Sequence, residues 1–120
     1  LKNNNFIKIF YKIIMKEIKF NNLIIIIGQN KYENDKLLTE MNKNFTWFHV
    51  KNKSSPHLWV NKSIDLLNKN EIYRCALELK KNSPYKKYNN IAIIYTQGIN
   101  LIKTNILGSV YTKKAKTINV

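Results

Sequence analysis

The sequence predicts a single α+β domain: a mixed or antiparallel sheet of five or six short strands with two helices packed on it. Three observations lead there. The chain has 120 residues, 44% of them hydrophobic, enough for one core and too few for two. Four short runs rich in β-branched and aromatic residues are each bounded by polar, Gly or Pro residues. Two other segments carry apolar residues at helical spacing.

At the N-terminus, Phe6, Ile9, Phe10, Ile13 and Ile14 recur with helical spacing, and Lys8, Lys12 and Lys16 are interleaved. This segment suits a basic amphipathic helix on a membrane surface. Being basic and poor in acids, it has some character of a targeting peptide, though it lacks Arg and Ser. It also suits sequence lying upstream of a start at Met15, which is the reading favoured. Residues 1–14 are therefore set apart as an extension, and the domain is expected over 15–120. The longest unbroken apolar run, Leu23–Ile27, is far short of the roughly 20 residues that a membrane span requires.

Leu23–Gly28 reads as a buried strand and Gln29–Lys31 as a polar turn. Asn34 is expected to cap a helix carrying Leu37, Leu38 and Met41 on one side. Phe45–Val50 alternates as a strand does, with Phe45, Trp47 and His49 on one face and Thr46, Phe48 and Val50 on the other. Pro56–Val60 forms the next strand, its proline tolerated at the first position. If residues 51–55 close a hairpin, Val50 pairs with Pro56, His49 with His57 and Trp47 with Trp59, placing both tryptophans and both histidines on one face.

Asn70–Asn82 is the clearest helix, with Ile72, Cys75, Ala76 and Leu79 on one stripe, Glu71 in its first turn and Lys80 and Lys81 in its last. Ser83-Pro84 ends it. Ile91–Thr96 reads as a central strand. Gly108–Tyr111 and Thr117–Val120 are expected to pair with each other around the basic turn Lys113–Lys116.

Charge narrows the function. Lys and Arg number 21 against 7 Asp and Glu, a formal net charge of +14. Such a surface attracts polyanions: RNA, DNA or anionic membrane. The bias toward Asn, Lys and Ile also fits an AT-rich genome, so part of this charge reflects codon pressure. The lone Cys75 cannot form an intramolecular disulfide, and a reduced intracellular setting, cytoplasmic or nuclear, is expected. The scattered acids, three glycines and absence of a nucleophile–base motif argue against an enzyme. His49 and His57 lack a converging third ligand, so no metal or other cofactor is expected. Trp47 and Trp59 fill the core or form an exposed stacking platform worth about 1–3 kcal/mol per base, and the sequence leaves both open.

Several segments in order carry a resemblance: G-Q-N-K-Y-E-N-D-K-L (Gly28–Leu37), W-F-H-V (Trp47–Val50), S-S-P-H-L (Ser54–Leu58), C-A-L-E-L-K-K-N-S (Cys75–Ser83), N-N-I-A-I-I-Y-T (Asn89–Thr96), N-L-I-K-T (Asn100–Thr104) and Gly108. From about residue 15 onward the chain resembles the NFACT-R domain family, and within it the stand-alone branch typified by coiled-coil domain-containing protein 25. The resemblance implies an α+β fold and nucleic-acid binding. In larger family members the domain accompanies others that recognise tRNA and the obstructed large ribosomal subunit during quality control; the stand-alone branch is linked to DNA. The family's polar signature falls here on Gly28, Asn30, Asn34, Asp35, Trp47, His49 and His57. The chain departs from the family at Phe45, where an acid is usual.

The expected site therefore has phosphate contacts at Lys51, Lys53, Lys62, Lys86 and Lys87, and specific contacts framed by Asn30, Asn34, Trp47, His49, His57 and Trp59. RNA is the expected partner, with DNA, tRNA or the ribosome as variants. The alternative is a module that docks on a ribosomal or other protein, its charge set by genome bias.

Overall fold

A computed structural model describes residues 15–120; the amphipathic segment Phe6–Ile14 lies outside the described residues. The order of elements is β1 (Lys16–Phe20), β2 (Leu23–Gly28), α1 (Lys31–Glu40), β3 (Thr46–Val50), β4 (His57–Val60), α2 (Lys69–Lys81), β5 (Ala92–Gln97), β6 (Leu101–Lys103), β7 (Val110–Thr112) and β8 (Lys116–Asn119). Six strands form one sheet in the order β1-β2-β4-β3-β5-β8, antiparallel at every pairing, and β6 and β7 form a separate ribbon. The α+β class and the two helices agree with the sequence prediction.

Strand alternation divides the core into two layers. Ile25, Ile27, Phe48, Val50, Leu58 and Val60 point toward α2, where Cys75, Ala76 and Leu79 meet them. Ile26, Trp47 and Trp59 point the other way and are covered by Leu37, Leu38 and Met41 from α1 and the residue that follows it. The two helices thus sandwich the sheet. Cys75 is fully buried, and burial pushes its thiol pKa up to about 12, so it acts as a small hydrophobe.

The β3–β4 register is the one the spacing predicts: Thr46 pairs with Val60, Trp47 with Trp59 and Phe48 with Leu58. Helix α2 begins at an Asn68–Glu71 capping box, two reciprocal bonds that satisfy otherwise orphaned N–H groups. Three expectations are corrected. Asn30, not Asn34, caps α1, its Oδ1 accepting from Tyr32 N at 3.0 Å and Glu33 N at 2.9 Å. The helix therefore starts a turn earlier, and Asn34 lies buried inside it. The two C-terminal segments do not pair with each other: β7 pairs with β6, and β8 with β5. Val110 packs on the α1 side and Ile118 on the α2 side, each held by a different neighbouring strand. The third correction concerns the tryptophans. Trp47 is 1% exposed and Trp59 0%, so both belong to the core, and neither ring forms an open platform.

Candidate nucleic-acid interface

The polar signature residues form one connected network. At Gly28, a Cβ would lie 2.5 Å from Asn34 Oδ1, so glycine is what lets the asparagine side chain lie against the strand. There Asn34 Oδ1 accepts from the backbone N–H of His57 at 3.3 Å, and His57 sits opposite Gly28 in the β2–β4 register. His57 Nδ1 in turn accepts from the indole Nε1–H of Trp47 at 3.0 Å. His49 stacks on Trp47 at 5.4 Å and 14°, and meets His57 edge to face at 4.9 Å between centroids. The His49–His57 neighbourhood predicted from the hairpin therefore forms, just beyond the last paired residues. Trp59, two residues beyond His57 and opposite Trp47, is packed under Gly98, and its buried N–H has no partner among the described residues.

Asp35 ties a remote segment to this network. It accepts from Lys103 Nζ at 3.1 Å and from the backbone N–H of Gly108 at 3.4 Å. Gly108 has φ of +77°, and a Cβ there would lie 2.8 Å from Lys31 O, so both its conformation and its closeness to α1 demand glycine. This contact brings Ser109 beside the two histidines.

Two adjoining clefts result, of about 590 and 490 Å³, sharing His49, Ser54, His57, Gly108 and Ser109 in their walls. The first also takes Gln29, Asn30 and Lys31 from the start of α1, and Asn82 and Pro84 from the end of α2. The second takes Asn52 and Lys53 from the β3–β4 turn and Tyr111 from β7. Ser55 holds that turn, its Oγ accepting from Val50 N at 3.1 Å and donating to Pro56 O at 2.8 Å. Tyr85 Oη donates to Ser54 O at 3.0 Å, fastening the turn to the loop that carries Lys86 and Lys87. The Lys53 ammonium lies 5.6 Å over the Tyr85 ring.

The hydrogen bonds fix the chemistry of both imidazoles. An indole N–H can only donate, so His57 Nδ1 is unprotonated and the neutral ring carries its proton on Nε2. A carbonyl can only accept, so His49 Nδ1 donates to Val50 O at 2.6 Å, and its neutral ring has a lone pair on Nε2. Both rings are held neutral. Burial first, then the neighbouring His49, lowers the His57 pKa to about 3; burial also lowers that of His49, against the raising effect of the Val50 bond.

The structure brings together many of the predicted site residues and separates others. Asn30, His49, Lys53 and His57 line the clefts; Asn34 does too, though its Oδ1 is committed to the His57 backbone, and Trp47 backs the second cleft while staying 1% exposed. Lys51 is exposed in the β3–β4 turn, and Lys86 and Lys87 are exposed just after Pro84. Lys62 belongs elsewhere: it follows the opposite end of β4 and pairs with Glu71 at 3.1 Å. Phe45, where the family has an acid, is an apolar residue packed on the α1 layer. Sequence reasoning missed Lys31, Ser54, Ser55 and Ser109 as wall residues. The S-S-P-H stretch was a signal for the two serines, and Gly108 one for its neighbour.

Among the described residues, no group of three His, Cys, Asp or Glu is placed to hold a metal ion, and no helix is long and apolar enough to cross a membrane. The model of the NFACT protein RNA binding domain matches residues 8–114. Coiled-coil domain-containing protein 25 of Danio rerio is 38% identical over 85 residues, and that of Bos taurus 35%. Each match covers 67% of this chain and 41% of the relative, so the chain spans under half the length of these relatives. A solved structure, the C-terminal part of the fibronectin/fibrinogen-binding protein from Streptococcus suis, superposes with a TM-score of 0.80 at 22% identity, covering 88% of this chain and 45% of that one. At that identity the likeness concerns the fold. With the family model matching most of its length, the chain belongs to the NFACT-R family, the NFACT protein RNA binding domains.

Proposed function

We propose that this domain is a recognition module without chemistry of its own, and that the clefts around His49 and His57 take single-stranded nucleic acid. One observation carries the reading: no described Asp or Glu lines either cleft, while Lys31 and Lys53 do. Glu33 and Asp35, the nearest acids in sequence to the α1 start, are turned to internal work. Glu33 accepts from Gln29 N at 3.0 Å, and Asp35 holds Lys103 and Gly108. A trough stripped of carboxylates and rimmed by lysines on a chain of net charge +14 suits a phosphodiester backbone. The family's description as an RNA-binding domain supports the same polymer.

Binding of labelled single-stranded RNA across a salt series tests this. The log–log slope is expected near −0.7 for each phosphate neutralised, and Lys31→Gln and Lys53→Gln should each make it shallower by about that amount. Affinity indifferent to salt and to both substitutions would contradict the reading.

A second reading, docking on a protein, is favoured by a different surface. The β6–β7 ribbon and its connection expose Ile102, Ile106 and Tyr111 at 46%, 67% and 70%. Exposed apolar side chains gathered on one small ribbon suit a protein partner. The structural counterpart also bears the name of a protein that binds fibronectin and fibrinogen. On this reading RNA affinity is weak and unselective, and polar substitutions at Ile102 and Ile106 abolish partner capture.

A further inference from the structure

Resting on the nucleic-acid reading, we propose that His49 and His57 together read the hydrogen-bonding edge of an unstacked base, His57 offering an N–H and His49 a lone pair. Each imidazole has one nitrogen spent inside the protein, on Trp47 Nε1 for His57 and on Val50 O for His49. In each ring Nε2 is the nitrogen left over, and it has no partner among the described residues. The ring centroids lie 4.9 Å apart at 89°, and both residues line both clefts, His57 with 2% of its surface exposed, so a base edge entering there meets the donor and the acceptor together.

Such a pair is matched by a group carrying an acceptor next to a donor. Every nucleobase has that arrangement on its Watson–Crick edge, the edge an unpaired base leaves free. A phosphate does not, since it has no hydrogen to give the His49 lone pair. The rigid setting strengthens the assignment: His49 is fixed by its stack on Trp47, and His57 by the Trp47 bond and by Asn34. Division of labour follows. The lysine rim holds the backbone without regard to sequence, while the histidines require a base that has left its stack. A peptide group also carries a donor and an acceptor, but the surrounding walls are lysine-rimmed and free of described acids, which favours the anionic polymer.

The test compares three probes across one salt series: a short single-stranded RNA, an abasic RNA oligomer of equal length and charge, and a Glu-rich peptide of similar charge. Each is bound to the full chain and to His49→Phe, which keeps a ring over Trp47 and deletes the acceptor. The expected result is at least tenfold tighter binding of the RNA than of the abasic oligomer by the natural protein. His49→Phe should lose that margin while keeping affinity for the abasic oligomer and the same salt slope. Equal binding of RNA and abasic oligomer by the natural protein, which needs no variant to fold, would overturn base reading and leave phosphate binding standing. Failure of both oligomers to bind would overturn both. A peptide bound as tightly as RNA, and weakened by His49→Phe, would overturn the proposal in favour of a peptide partner.

Discussion

Trp47→Ala is expected to destabilise the domain by about 3–5 kcal/mol, the usual cost of emptying a buried tryptophan site. The ring is 1% exposed, sits in a central strand and is covered by Leu37 and Leu38. Its removal opens a cavity between sheet and helix, and also takes away the donor that holds His57 Nδ1. Against a total stability of about 5–15 kcal/mol for a typical domain, this change alone would bring the fold near its threshold. Trp47→Phe separates the two contributions. It restores most of the volume but leaves a buried acceptor unpaired, at about 1–3 kcal/mol. Denaturant unfolding of the three proteins measures both. A loss below about 1 kcal/mol for the alanine variant would mean that the ring is open to solvent, contrary to the fold described here. Any loss of RNA binding in Trp47→Ala would thus report on folding, which is why His49 is the residue to alter at the site.

Acid is expected to have an effect of similar size. The His57 imidazole has an ordinary pKa of 6.5 when unfolded and about 3 when folded. Below pH 6.5 the unfolded chain binds a proton that the folded chain refuses, so stability falls as pH falls. The slope approaches 1.4 kcal/mol per pH unit, which is about 2 kcal/mol between pH 7 and 5. The contribution is fully present above 6.5 and is lost progressively toward 3. His49, lowered in the same direction, adds to the loss. The geometry explains why His57 resists: a proton on Nδ1 would face the Trp47 N–H, donor against donor. The chain has two histidines, and carboxylates titrate mostly below pH 5, so the loss in this interval belongs to the imidazoles. Unfolding midpoints measured from pH 7 to 5 test it. A flat profile would show that the His57 ring is hydrated.

Which parts of this were legible in the sequence follows from what each signal encodes. The hairpin register could be read because a constant sum of residue numbers pairs Trp47 with Trp59 and carries His49 to His57. Alternation assigned the faces of β3 and β4 correctly, but a face is not an exposure. That α1 covers the tryptophans depends on where the helix lands, which no local pattern states. The start of α1 was misplaced because Asn30 and Asn34 are both plausible caps, and what decides is that Asn34 is needed against Gly28 and His57. Strand β1 was not foreseen: K-E-I-K-F offers two apolar residues among charges, and its pairing with β2 defines it. The ribbon of β6 and β7 has the same character, short strands held by Asp35 and the approach of Gly108 to Lys31. That approach, between residues far apart in sequence, places Ser109 and Lys31 on one cleft.

The central claim is that nucleic acid enters the clefts around His49 and His57, and an NMR titration of the labelled protein with single-stranded RNA tests it most directly. The account predicts that the largest shifts fall on the side-chain nitrogens of His49 and His57 and on the amides of Ser54, Ser55 and Ser109. Lys62, at the far end of β4, should stay still. Shifts confined to Ile102 and Ile106, or scattered evenly over every exposed lysine, would contradict it.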